Sequence, residues 1–238
     1  MNKHHNLPSI FVAMDFDSID DAKNLALKID PNKCGIKIGK ELFTSSGPEI
    51  VKWFHDQGFK TFLDLKYHDI PNTVSQACKS AARLGVSIVN VHALGGEEMM
   101  LSAKKGLEEI QSDTLLIAVT ILTSHDEKSL QSIGLEKGLD ECVKSLAKQA
   151  AKCRLDGIVC SALDLKNIKD LMPKNFIYVT PGVRPHKTND DQKRVMTPIE
   201  AFKAGSTILV IGRPITEAND PNQIINQIYS DFPQINQD

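Results

Sequence analysis

Short runs of Val, Ile and Leu alternate with longer amphipathic stretches along the chain. The runs are Ile10–Asp15, Gly35–Gly39, Thr61–Lys66, Ser87–His92, Leu115–Leu122, Gly157–Ser161, Phe176–Thr180 and Thr207–Ile211. Most are near-continuously apolar, the pattern of parallel strands covered on both faces. The intervening stretches carry helical periodicity. Ser18 is placed to cap a helix, with Asp21 three residues on and a stripe of Ala22, Leu25, Ala26 and Ile29 behind it. Pro71 suits the first turn of a helix that runs through Val74, Ala77, Cys78 and Ala81 to Leu84, and Gly85 closes it. Leu139, Val143, Leu146, Ala147 and Ala150 form another stripe, and Ile224, Ile225 and Ile228 mark a last helix.

About eight strand–helix units leave two architectures, an open doubly wound sheet or a closed (β/α)8 TIM barrel. No G-x-G-x-x-G follows the first strand, so the dinucleotide-binding version of the open sheet loses support. Eight units in 238 residues favour the barrel. No low-complexity linker or composition shift divides the chain, so a single domain is expected after a tail over residues 1–8.

Composition narrows the partners. The chain has 28 Lys+Arg against 30 Asp+Glu, a formal net charge of −2, 41% hydrophobic and 24% charged residues. That is ordinary for a folded protein and too apolar for a disordered one. It gives no cationic excess for a broad nucleic-acid or membrane surface. The five cysteines (Cys34, Cys78, Cys142, Cys153 and Cys160) are odd in number and contain no C-x-x-C. A zinc site or disulfide framework is therefore not expected, and a reducing cytoplasm fits. The first ten residues lack the apolar core of a signal peptide, and Leu115–Leu122 is too short to span a bilayer. His4 and His5 read as exposed tail residues, without the further ligands a metal needs.

In a barrel, chemistry sits where strands end. Polar residues gather there. Asp15 ends the first run, Lys37 lies in GIKIG, and the third run ends FLDLKYHD with Asp64, Lys66 and Asp69. Strand side chains alternate, so Asp64 and Lys66 should share a face, and Lys37 would complete a Lys–Asp–Lys–Asp array. Such charges need partners if buried, so the array is either a salt-bridge plug or a site. Arg184 and Arg213 follow the seventh and eighth runs, next to Gly182 and Gly212, where this fold often binds phosphate. The polar segment 186–198 reads either as a lid or as a surface loop. Thr123 and Ser124 end the fifth run and are placed either to bond a ligand or to cap a turn, and His92 reads as a packed barrel histidine.

With these residues assembled, the chain resembles the orotidine 5′-phosphate decarboxylase family. The resemblance runs from IFVAMDF to IGRPIT, and its most specific part is FLDLKYHDIPNTV, similar to D-x-K-x-x-D-I-P-x-T. GIKIGKELF, NVHALGG, ILTS, TPGVRP, VMTP and VIGRPI follow the family order. The resemblance implies conversion of orotidine 5′-phosphate to UMP and CO₂ in de novo pyrimidine synthesis, without metal or organic cofactor. It makes Lys66 the proton donor to ring carbon six and puts Asp64 beside the reacting carboxylate. Lys37 would hold the array and the ribose, and Asp15 the ribose. Thr123 and Ser124 would lie on the pyrimidine side, with Arg184, Gln192, Gly212 and Arg213 at the phosphate. Asp69 and Thr73 would reach the partner's site in a homodimer. His92 matches the family's strand-four histidine and would support the site. His125 departs from the methionine frequent in relatives.

Two rivals follow from the same residues. Sugar-phosphate enzymes of the superfamily, a 3-keto-gulonate phosphate decarboxylase or a hexulose phosphate synthase, share the D-x-K-x-x-D but use Mg²⁺. The I-P-N-T after Asp69, Lys37 and the TPGVRP loop fit the orotidylate branch better. The other rival is a phosphometabolite-binding barrel without chemistry, which the intact Lys–Asp array disfavours.

Overall fold

Eight parallel strands pair in chain order, and the last returns to the first to close a barrel. They are β1 (Ile10–Met14), β2 (Gly35–Ile38), β3 (Thr61–Tyr67), β4 (Ile88–His92), β5 (Leu115–Val119), β6 (Gly157–Val159), β7 (Ile177–Thr180) and β8 (Ile208–Ile211). The computed structural model describes residues 7–184 and 196–232. Gln192 and most of the polar segment 186–198 lie outside them.

The strands are apolar on both faces because both faces are covered. Phe11, Ala13, Phe62, Ile88, Leu115, Ile117, Ile177, Val179, Ile208 and Val210 pack together inside the barrel. Their sequence neighbours, such as Ile10, Val12, Leu63, Val89 and Leu116, join the larger core under the helices. Burying a side chain of this kind contributes about 1.5–3 kcal/mol. Phe11 and Phe62 meet edge to face across the interior, 6.4 Å between centroids. That filling dictates Gly35, where a Cβ would come within 2.5 Å of the Phe11 ring.

The helices start where their caps are. Ser18 Oγ accepts the Asp21 N–H at 3.2 Å and opens the helix Ile19–Ala26. Pro71 sits in the first turn of Pro71–Arg83, and Gly85 leaves it with φ +81°. Thr197 and Glu200 form a reciprocal capping box on Pro198–Ala204. Val183 and Met196 pair as an isolated parallel bridge, and Arg184 N–H donates to Met196 O at 3.0 Å.

Two strand ends differ from the sequence expectation. β5 stops at Val119, so Thr123 and Ser124 lie in a turn beyond it. The reason is its neighbour: β6 has only three residues, and the ladder ends at Val119 opposite Val159. Thr120 still bonds Val159 O through N–H and Oγ1, at 3.1 and 3.0 Å.

The second difference is in β3, which does not alternate to its end. Leu63 pairs with Val89 and Tyr67 with Val91, so four steps along β3 are set against two along β4. Within that bulge Lys66 takes φ +55°, the left-handed region that a lysine rarely enters.

Candidate active site

β1 to β3 deliver the charged side chains at their C-terminal ends. Lys66 Nζ lies 2.7 Å from Asp64 Oδ1, and Lys37 Nζ lies 3.7 Å from Asp64 Oδ2 and 2.8 Å from Asp15 Oδ1. The result is a chain of alternating sign, Asp15–Lys37–Asp64–Lys66. Asp64 and Lys37 are each only 8% exposed. Burial would push the Asp64 carboxyl up. The Lys37 and Lys66 ammonium groups, with hydrogen bonds from Lys66 and Asn90, outweigh burial and hold it below the usual carboxylate range. Asp64 is thus a fixed anion with a cation on either side.

The array faces a cavity of about 600 Å³, within the range of small-ligand sites. Asp15, Lys37, Asp64, Lys66, Thr123, Ser124, Arg184, Gly212 and Arg213 all line it. Phe62, Val119, Ile121, Val159, Cys160, Val179 and Val210 supply an apolar wall. One cavity thus joins two lysines and two aspartates to two arginines from the loops after β7 and β8. Arg184 is buried, and its Nη1 donates to Val183 O at 3.2 Å. Such a cavity can hold a ligand with an anionic end and an apolar face.

Two residues of the expected set stand apart from this cavity within one chain. Asp69 is exposed, and its Oδ1 accepts the Ile70 N–H at 2.7 Å. Thr73 is exposed near the start of the helix Pro71–Arg83. The array therefore ends on Asp15 rather than on Asp69.

Asn90 was not singled out from the sequence, yet it touches both halves of the central pair. Its Nδ2 donates to Asp64 Oδ1 at 2.6 Å, and its Oδ1 accepts the Lys66 N–H at 2.8 Å. The signal was present: one amide inside the apolar run IVNV of a buried strand needs polar partners. Cys160 and Phe16 also line the cavity. An apolar run and a strand-end aromatic give no sequence sign of that.

His92 is half-buried at the end of β4, its ring 5.6 Å from that of His68. Its Nδ1 is buried without a hydrogen-bond partner among the described residues. Burial pushes the imidazole down to about 4, with His68, Lys66 and Lys40 acting in the same direction and Asp64 opposing. Between pH 4 and 6.5 the unfolded chain binds a proton that the folded chain refuses. Stability therefore rises with pH across that window and levels off above it. His92→Asn should flatten this rise in stability between pH 4 and 7, read from urea unfolding. An unchanged slope would mean that His92 is not the group responsible. Among the described residues no three His, Cys, Asp or Glu side chains gather as a metal-ligand set.

Comparison with known proteins gives a consistent picture. Residues 8–228 match the model of the orotidine 5′-phosphate decarboxylase / HUMPS family. A curated orotidine 5′-phosphate decarboxylase of Saccharophagus degradans is 49% identical over 226 residues, 94% of this chain and 95% of that protein. The Aliivibrio fischeri enzyme of the same name is 51% identical over 221 residues, 92% of this chain and 94% of the relative. The crystal structure of the Lactobacillus acidophilus orotidine 5′-phosphate decarboxylase superposes with a TM-score of 0.85 at 40% identity, covering 95% of this chain and 99% of that one. The barrel, the strand-end charges and the two loop arginines thus occur on a chain of which 92–95% aligns with these proteins, and the chain belongs to the orotidine 5′-phosphate decarboxylase / HUMPS family.

Proposed function

We propose that this protein decarboxylates orotidine 5′-phosphate to UMP and CO₂ without a metal or organic cofactor. The observation that carries the reading is the array Asp15–Lys37–Asp64–Lys66 in one cavity with Arg184 and Arg213. The bond from ring carbon six to the carboxylate breaks, CO₂ leaves, and the electron pair stays on carbon six. Lys66, as ammonium, faces that developing charge and then gives it a proton. The amine so formed is reprotonated from solvent. A charge fixed in place before the reaction stabilises the transition state without reorganising. Asp64 holds Lys66 in position through its 2.7 Å contact and stands beside the departing carboxylate. Lys37 and Asp15 take the ribose, Thr123 and Ser124 the pyrimidine. Arg184, Arg213, the Gly212 backbone and Gln192 take the phosphate.

The enzyme works as a homodimer in which Asp69 and Thr73 complete the partner's site. This accounts for their place outside the cavity of their own chain. Ile70, 67% exposed, with Leu94 and Leu101 at 42% and 40%, offers apolar surface around the packed helices Pro71–Arg83 and Gly96–Glu109. Mixing inactive Lys66→Ala and Asp69→Ala subunits should restore activity to about a quarter of wild type, because half the mixed dimers' sites are whole. Zero recovery in demonstrated mixed dimers would show that sites are not shared. A cytoplasmic location accords with the biosynthetic role, and no helix among the described residues is long and apolar enough to cross a membrane.

A substrate panel tests the activity itself. Orotidine 5′-phosphate should yield UMP, and 3-keto-gulonate 6-phosphate with Mg²⁺ should yield nothing. The reverse result would move the chain to the sugar-phosphate branch.

A further inference from the structure

We propose that Asn90 is a positioning residue for the decarboxylation, setting the Lys66 ammonium against Asp64 by bonding the Lys66 backbone and the Asp64 side chain with one amide. This inference rests on the reading of Lys66 as the group facing ring carbon six.

Asn90 is 0% exposed and does not line the cavity, so it acts only through its neighbours. Its orientation is fixed by chemistry. The Lys66 backbone N–H can only donate and the Asp64 carboxylate can only accept, so Oδ1 faces the first and Nδ2 the second, at 2.8 and 2.6 Å. The bulge explains why a side chain is needed there. Leu63 pairs with Val89 and Tyr67 with Val91, which leaves Lys66 out of the ladder. Its half-buried N–H therefore donates to a side chain, Asn90 Oδ1. The same bond pins the backbone of Lys66 at φ +55°. Asn90 itself stays in regular register with Ile117 of β5, so it is a firm anchor for an irregular strand. One amide thus fixes where the Lys66 side chain starts and where the Asp64 oxygen that receives its ammonium lies. An apolar residue at 90 would release both ends.

The test compares wild type, Asn90→Ala and Asn90→Asp with orotidine 5′-phosphate, measuring kcat, KM and the Kd of UMP from pH 6 to 8. Asn90→Ala should lower kcat by about 10²-fold, the scale of a misplaced catalytic group. KM and the UMP Kd should stay within about threefold, because ground-state binding is not what Asn90 serves. Asn90→Asp puts a carboxyl against Asp64, and two carboxylates in contact cannot both ionise. Once protonated, the new carboxyl again donates to Asp64 and accepts from the Lys66 N–H. The titratable and charged groups around it are Asp64 and Lys66 on β3, Lys37 on β2 through Asp64, and His92 further along β4, while β5 presents Ile117. Relative to wild type at each pH, Asn90→Asp should therefore regain about tenfold in kcat from pH 8 to pH 6.

A packing role would lower stability without this acid rescue. The proposal is overturned by a folded Asn90→Ala with kcat within about threefold of wild type, or by a loss confined to KM. If Asn90→Ala does not fold, a ratio for Asn90→Asp that is flat with pH overturns it just as well. The wild type in the same assay separates the two claims. An inactive wild type defeats the reading of the reaction, whereas an active wild type beside an unaffected Asn90→Ala defeats this proposal alone.

Discussion

Lys66→Ala should leave a folded protein that turns over orotidine 5′-phosphate at least about 10⁴-fold more slowly, because in the proposed reaction one side chain supplies both the facing charge and the proton. The fold should survive because Asp64 is not stranded by the change. Asp64 keeps the Asn90 amide at 2.6 Å and Lys37 at 3.7 Å. Alanine also retains a Cβ, so the left-handed backbone at position 66 is neither relieved nor worsened. The stability loss should be about 1–3 kcal/mol, the cost of removing one partner of a charged hydrogen bond whose acceptor keeps others. Circular dichroism and thermal unfolding would establish the fold, and single-turnover kinetics the rate. A folded variant with a near-wild-type rate would remove Lys66 from the chemistry.

Arg213→Ala should act on the other end of the substrate. It should lower kcat/KM for orotidine 5′-phosphate by about 30-fold to 10³-fold, or about 2–4 kcal/mol, the scale for losing a charged partner. For orotidine, which lacks the phosphate, the change should be small. Arg213 lines the same cavity as Lys66 but follows β8, whereas the lysine belongs to β3. Binding energy from a non-reacting phosphate can be used to orient the reacting ring. Equal losses on the phosphorylated and unphosphorylated substrates would mean that Arg213 serves the barrel rather than the phosphate.

The barrel was readable because each strand is buried on both faces. Runs such as IFVAM and LLIAV are apolar throughout, and a charged residue just after such a run has few places to go except the strand end. That logic reached Asp15, Lys37, Asp64 and Lys66, and the two loop arginines, all of which line one cavity. It failed where backbone geometry departs from its period. Simple alternation put Asp64 and Lys66 on one face, and both do line the cavity, but alternation gave no sign of the bulge and the left-handed lysine on the way. The end of β5 depended on the length of β6, a property of the neighbour rather than of LLIAVTIL. Asn90 was overlooked because a polar residue flanked by valines reads as a gap in a hydrophobic pattern. Its meaning comes from partners on the adjacent strand. Asp69 and Thr73 were named through family resemblance, and no pattern in the chain itself would have assigned them to a second subunit.

In the proposed reaction the protein's own charges carry the decarboxylation, with no metal ion. The measurement that reaches it most directly is the loss of orotidine 5′-phosphate absorbance with purified, metal-stripped protein, run with and without excess EDTA. Conversion to UMP should be complete and proceed at one rate in both samples. An inactive stripped protein, restored by Mg²⁺ and silenced again by EDTA, would contradict it.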